Sequence, residues 1–430
     1  MTDPKEKLDS LTDELIRKHL AQARVRQPSP LAGSRRLFVW APIKNVWQMA
    51  AHLDWLPNFG KFAYVSEWIQ AQGSYPLDPL NLPLSEEPYD APYENDGIPG
   101  VVSDAGPDSW GRAILSITSP GANGSSFTRI LATSGRGVGV IRVTDSEPVD
   151  IRMVSPIEDE PLERIEEACR KVSMGEALPT SEHVVLRDKC CGFGGACPKA
   201  AVVVGKRDVI AKFQNPRWDV WDMPVVEAAC LEVARQAGID AVTGEVISVN
   251  DRHVLLVDRF DRCDGKPIHY ISARSLLDAF GDADMEFGPP QGRATYAAIV
   301  TVANRIGIEN AGEAMFRRMA FNYAIGNTDD HLRNHGFLFD GAWRLAPAFD
   351  LVVFGGPAHS LGLGEDRLRR TSDNVLSRVG DFGLSREVGE DILVEAVNSA
   401  RRLGAELDRL GMDAKQRGQV LSRLCPEAKT

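Results

Sequence analysis

The residues best suited to chemistry fall in one short stretch, Gly326-Asn327-Thr328-Asp329-Asp330-His331-Leu332-Arg333-Asn334, with Ala348-Phe349-Asp350 following after a turn. An acid that orients a hydroxyl, an amide that binds metal and a second acid that holds Mg²⁺ against a phosphate chain are the parts of a phosphoryl-transfer site. Such a site forms little covalent chemistry of its own; it positions the reactants and offsets their charge. On this spacing Asp329 takes the hydroxyl-orienting role, and Asn334 and Asp350 take the metal. An Asp-x-x-x-x-Asn pattern alone is more often an ordinary turn, so the reading depends on what surrounds it.

The surroundings are ordered as the chemistry needs. Met315, Phe316, Met319, Ala320 and Tyr323 recur at three- and four-residue intervals, which predicts a helix that Gly326 ends. The loop therefore starts where a rigid element stops. Gly336-Phe337-Leu338-Phe339 and Trp343-Arg344-Leu345 read as strands joined by Asp340-Gly341, a strong hairpin signal that would return Asp350 toward Asp329 and Asn334.

A second set of elements lies upstream. Cys191-Gly192-Phe193-Gly194-Gly195-Ala196-Cys197-Pro198-Lys199 leads into an apolar strand over 200–204, and Val209-Ile210-Ala211-Lys212-Phe213 is its return partner. Glycines let backbone N–H groups approach phosphate oxygens, and a strand lysine such as Lys212 can pair with the α/β-phosphates. A helix over about 226–236 carries Glu227 in its first turn, either as the ion-pair partner of Lys212 or as a complement to the helix dipole. Strands over 244–249 and 253–257 run into Asp258-Arg259-Phe260-Asp261-Arg262, placed to be an adenine-reading hinge; taken alone that run would be a solvated, salt-bridged strand end. Periodic apolar residues at 299–306 and 386–424 then predict a mostly helical carboxy-terminal lobe.

The whole chain, 430 residues with 43% hydrophobic content, has length for two or three domains or one bilobal unit. Its formal charge of −11 disfavours non-specific nucleic-acid binding. Seven cysteines without a Cys-x-x-Cys pair fit reduced cytosolic thiols, and Cys190, Cys191 and Cys197 match no standard zinc spacing. No apolar leader and no run of 18 apolar residues is present, so a soluble, cytoplasmic protein without membrane contact is expected. Residues 4–24 read as an amphipathic helix before a linker, residues 36–150 as a turn-rich α+β region with short strands near 37–40 and 138–143, and the acidic stretch 156–167 as a surface helix. The divisions expected are 1–34, 35–150, 151–262 and 263–430.

Taken together, Gly195-Ala196-Cys197-Pro198-Lys199, Val257 to Arg262, Gly326 to Asn334 and Pro347-Ala348-Phe349-Asp350 resemble the HipA family, the serine/threonine kinases of bacterial toxin–antitoxin modules. Gly100 to Arg112, with Pro107-Asp108-Ser109-Trp110-Gly111, is similar to that family's amino-terminal Pro-Asp-x-Trp-Gly motif, and the likeness covers about residues 36–420. The resemblance implies an α+β, bilobal, protein-kinase-like fold with a mixed amino-terminal region. It implies Asp329 as the catalytic acid and Asn334 and Asp350 as Mg²⁺ ligands. It further implies ATP contacts from Gly194, Gly195, Ala196, Cys197, Pro198 and Lys199, from Lys212, from Asp258, Arg259 and Phe260, and from His331, Arg333 and Phe349. The implied activity is Mg-ATP-dependent phosphorylation of a Ser or Thr in a translation component such as an aminoacyl-tRNA synthetase. The implied partner is a helix-turn-helix antitoxin, through which alone the chain would meet DNA. A kinase of small-molecule or lipid hydroxyls and a non-catalytic nucleotide-binding co-repressor are the alternatives. Two residues depart from the pattern. Gly192 stands where relatives often carry an autophosphorylated Ser, which puts self-inactivation by that route in doubt. Asp330 stands where a small residue is common, and a carboxylate there would raise the Asp329 pKa or recruit metal.

Overall fold

A computed structural model of the chain describes residues 32–133, 135–146, 160–280 and 293–429. The amphipathic helix expected over 4–24 lies outside them. The first layer is an antiparallel five-stranded sheet of β1 (Arg35–Ile43), β2 (Val46–Leu56), β3 (Phe59–Tyr64), β4 (Tyr89–Ala91) and β5 (Arg142–Thr144), in the order β4-β3-β2-β1-β5. Lys44 and Asn45, both left-handed, make the tight turn between β1 and β2. The strand expected over 138–143 is shorter than its apolar run, because Gly139 adopts φ +77° and only Arg142–Thr144 pairs with β1.

Helix α1 (Ser109–Thr118) leaves this region to join a different core. Trp110, Ile114 and Leu115 pack with residues of α2 (Leu162–Met174) and α3 (Thr180–Cys190) and with the underside of a second sheet. The acidic stretch thus contributes a helix that starts at Leu162 and is half-buried, with Ile165, Ala168 and Cys169 inside. Its buried Glu166 accepts from Arg252 Nε at 2.6 Å.

The second sheet, antiparallel in the order β6-β7-β9-β8, is built from β6 (Lys199–Val204), β7 (Arg207–Phe213), β8 (Gly244–Val249) and β9 (Arg252–Asp258), with α4 (Met223–Gln236) entering between β7 and β8. Asn250 and Asp251 turn the β8–β9 hairpin, both left-handed as its right-handed twist requires. Because α4 begins at Met223, Glu227 sits in its second turn and not its first, so the helix dipole does not account for it.

The remainder is mostly helical, with α5 (Tyr296–Arg305), α6 (Ala311–Ile325) and α7 (Arg386–Arg401) packed together. It also holds a three-stranded sheet in which β10 (His269–Ser272) extends the expected hairpin of β11 (Gly336–Phe339) and β12 (Trp343–Leu345). Helix α6 ends at Gly326, whose φ of +73° reverses the chain while Asn327 N–H donates to Asn322 O at 2.9 Å. A side chain at 326 would meet Arg423 O at 2.5 Å, so glycine is required for space as well as for conformation. Among the described residues no helix is long and apolar enough to cross a membrane.

Candidate active site

One cleft lies between the four-stranded sheet, the 103–108 segment of the amino-terminal region and the loops of the helical part, and most of the expected residues line it: Gly194, Gly195, Lys199, Lys212, Asp258, Arg259, Phe260, His331, Arg333, Asn334, Phe349 and Asp350. Strand register explains the first of these. Lys212 pairs with Lys199 across β6–β7 and with Leu255 across β7–β9, so one face of the sheet presents both lysines, as alternation dictates.

Lys212 is nearly buried and shared. Its Nζ donates to Glu227 Oε1 at 2.5 Å and to Asp350 Oδ1 at 2.8 Å. Burial works hardest against the ammonium, but Asp350 and Glu227 outweigh it and hold the pKa above the ordinary lysine value. Burial likewise opposes the Asp350 charge, and Lys212 with Lys199 overcomes it, so that this carboxyl stays well below the usual range. Asp350 keeps a third of its side chain exposed.

The β11–β12 hairpin is only part of what delivers Asp350. Ala348 N–H donates to Asp240 O at 2.7 Å and Val242 N–H to Ala348 O at 2.9 Å, a parallel bridge that ties the chain just before Asp350 to the entry of β8. Asp350 then adopts φ +58°, a left-handed conformation rare outside glycine and tolerated best by Asp and Asn. Asn327 Nδ2 reaches its carbonyl at 3.4 Å.

The loop after α6 separates its two acids. Asp329 is exposed and outside the residues that line the cleft, on the loop between Thr328 and the lining His331. Asp330 is 2% exposed and points the other way, accepting from Tyr296 Oη, from Asn322 Nδ2 at 2.8 Å and from His335 Nε2 at 2.9 Å. Burial would raise its pKa, but His335 and the donors hold it below the ordinary value. The expectation that Asp330 would act on Asp329 or recruit metal is therefore corrected: it anchors the loop to α5 and α6. His331 lines the cleft with its Nδ1 buried and without a hydrogen-bond partner among the described residues, and Asn334 closes the turn through its N–H to His331 O at 2.8 Å.

The hinge also differs from expectation. The Asp258 and Arg259 N–H groups already donate to Thr243 O and Asp208 O, each at 3.0 Å. The charged run is solvated only at its start, where Asp258 faces solvent; Asp261 is buried and accepts from Arg259 Nη2 at 2.7 Å, Arg262 Nη1 at 2.8 Å and Gly139 N–H at 2.7 Å. Burial pushes this carboxyl up, yet the two guanidinium groups bring it down to about 2. Phe260 stacks on Phe349 with centroids 5.2 Å apart, and Ile210, Val242 and Val257 complete an apolar slot.

Ala196, Cys197 and Pro198 do not line the cleft; Pro198 O instead accepts the Phe213 N–H at 2.9 Å. Gly192 has no room for a side chain in this arrangement, since a Cβ would lie 2.3 Å from Arg136 O. Residues missed from the sequence come from the amino-terminal region and β10: Asp104, Asp108, Tyr270 and Ser272 also line the cleft. The Pro-Asp-x-Trp-Gly motif was the available signal. Asp104, pushed above the carboxylate range by burial, accepts from Ser272 N–H at 2.7 Å and so straps that region to β10.

Comparison with known proteins fits this geometry. Residues 45–144 match the HipA N-terminal domain and residues 191–403 the HipA-like C-terminal domain. Y4mE of Sinorhizobium fredii (strain NBRC 101917 / NGR234), named as a candidate kinase, is 23% identical over 309 residues, spanning 68% of this chain and 71% of its own. The HipA–HipB–operator DNA complex of the Shewanella oneidensis MR-1 toxin–antitoxin system is similar in fold, with TM-score 0.61 at 16% identity over 91% of this chain and 99% of that one. With both domains matched in order across the sheet and the cleft described above, the chain belongs to the HipA family.

Proposed function

We propose that this chain is a kinase that transfers the γ-phosphoryl group of ATP to a Ser or Thr hydroxyl of a protein. The observation that carries the reading is Lys212, held between Glu227 and Asp350 at the floor of a cleft with an apolar slot. A lysine fixed in this way presents a permanent charge to a phosphate chain without rearranging when the nucleotide arrives. The slot of Ile210, Val242, Val257, Phe260 and Phe349 suits a flat adenine ring. Because the amides of 258 and 259 are engaged, the hinge donor falls to the Phe260 N–H.

Asp350 and Asn334 offer oxygen donors only, one from a carboxylate that keeps a third of its surface open, which is the donor chemistry Mg²⁺ prefers. When bound, the metal would supply charge neutralisation of the transferring phosphoryl group. Asp329, exposed beside the cleft, would orient the acceptor hydroxyl toward the phosphate. Its exposure suits an acceptor carried on a macromolecule. By the same family logic, and because the Shewanella relative was solved with HipB and operator DNA, the partner proposed is a helix-turn-helix antitoxin that carries the chain to DNA.

The test is label transfer. The chain and its Asp329→Ala variant are incubated with labelled ATP, Mg²⁺ and a host lysate. A discrete labelled protein seen with the native chain alone is the expected result. Label on a metabolite instead would move the reading to a small-molecule acceptor, and no transfer despite bound ATP would leave a co-repressor.

A further inference from the structure

Asp108 occupies the N-cap position of α1, where an aspartate ordinarily accepts N–H groups of its own helix, yet its side chain caps nothing there. Its Oδ2 instead accepts the Gly195 N–H at 3.2 Å and pairs with Arg333, while Arg112 stands 3.7 Å from Oδ1. One oxygen between a glycine-loop amide and a guanidinium is how a phosphate oxygen would be held. Although burial opposes its charge, Arg333 and the Gly195 amide hold the Asp108 carboxyl well below the usual range, so the group is an anion at neutral pH.

We infer that Asp108 is a residue of the phosphate subsite that occupies the subsite's own anion-binding groups, so that a nucleotide's phosphate chain must displace it. The inference rests on the reading of the cleft as a nucleotide site. It goes beyond that reading by placing the control of phosphate affinity in the amino-terminal half, in a motif whose helix packs into the small-sheet core through Trp110. Displacing Asp108 need not release the loop. Trp110 N–H donates to Gly195 O at 3.0 Å, Trp110 Nε1 to Lys199 O at 3.2 Å and Lys199 Nζ to Gly194 O at 2.6 Å, and none of these ties involves the Asp108 carboxylate. With the carboxylate gone, the Gly195 amide and Arg333 are free for phosphate while the loop keeps its place.

The experiment measures the binding of ATP and of adenosine, in Mg²⁺-free buffer, to the full native chain and to Asp108→Asn. Adenosine probes the slot without the phosphates. The expected result is ATP bound at least about threefold more tightly by the variant, with adenosine unchanged. Asp108→Ser, which removes the charge with a different shape, should move ATP in the same direction, and a melting curve for each variant checks that it is folded. Weaker ATP binding with unchanged adenosine would make Asp108 a supporting contact and overturn the inference, as would parallel changes in both ligands. If the native chain bound neither, the nucleotide reading itself would fall and the inference with it; binding without the expected shift would remove the inference alone.

Discussion

Two buried ion clusters line the same cleft with opposite stoichiometry. In the hinge, one acid, Asp261, receives two arginines and a backbone amide. Beneath the glycine loop, one cation, Lys212, is shared by two acids, Glu227 and Asp350. The Asp261 side chain is 3% exposed and its charge is more than matched. Among the groups in direct contact the lysine cluster has two carboxylates to one ammonium, and one of those acids, Asp350, is 33% exposed. A closed cluster of the first kind joins segments of chain, here the hinge and the 137–139 loop; an open cluster of the second kind attracts a further cation. Acids near basic residues in sequence are thus not equivalent: what separates structure from chemistry is which charge is in excess and whether any of it remains exposed.

The comparison can be broken first at the open cluster. Asp350→Asn is expected to lower phosphoryl transfer on the order of a thousandfold and to weaken Mg-ATP binding more than Mg-free ATP binding. Equal losses for both nucleotide forms would remove the metal role. The closed cluster should respond the other way. Asp261→Ala leaves Arg259 and Arg262 buried without their acid and is expected to cost about 3–5 kcal/mol in urea unfolding. Transfer per folded molecule should fall far less than in Asp350→Asn, and a variant equally stable but inactive would refute the division.

Acid sharpens the contrast. The Asp261 pKa is about 2 in the fold and about 3.9 when unfolded, so its contribution is complete above pH 4 and is lost as pH falls through 2. The stability difference between the native chain and Asp261→Asn should therefore narrow by about 2.6 kcal/mol between pH 5 and the acid limit, read from melts across that range. A difference independent of pH would mean that the ion cluster does not hold the hinge. The smallest effect belongs to Asp258, whose side chain pairs with Arg207 at 2.8 Å in the open. Asp258→Ala should change stability by less than about 1 kcal/mol and leave ATP affinity unaltered, since only its backbone belongs to the hinge. A tenfold loss of ATP affinity would show that its side chain reads the nucleotide.

Much of this cleft was legible in the chain. Spacing alone located α6, its stop at Gly326, the 336–345 hairpin and the strand that carries Lys212, each within a residue or a few of its observed bounds. These features repeat over one helical turn or one strand pair, so neighbours in sequence are sufficient to specify them. The direction of Asp330 was not legible. Asp329 and Asp330 are identical in type and adjacent, and only the presence of Tyr296, Asn322 and His335 beneath the loop decides that the second turns inward. Gly192 was equally ambiguous, because its lack of space is set by Arg136, which no local pattern places against it.

By itself the sequence determined which residues were available for phosphate chemistry and the order of the elements that carry them, because periodicity, turn chemistry and side-chain type are local properties. The tertiary structure alone decided which charges meet. Lys212 and Asp350 lie 138 residues apart, Asp108 and Gly195 87 apart, and Gly139 and Asp261 122 apart. A charge pair becomes strong only when packing removes water from around both partners at once, and that condition belongs to the assembled core, not to either segment.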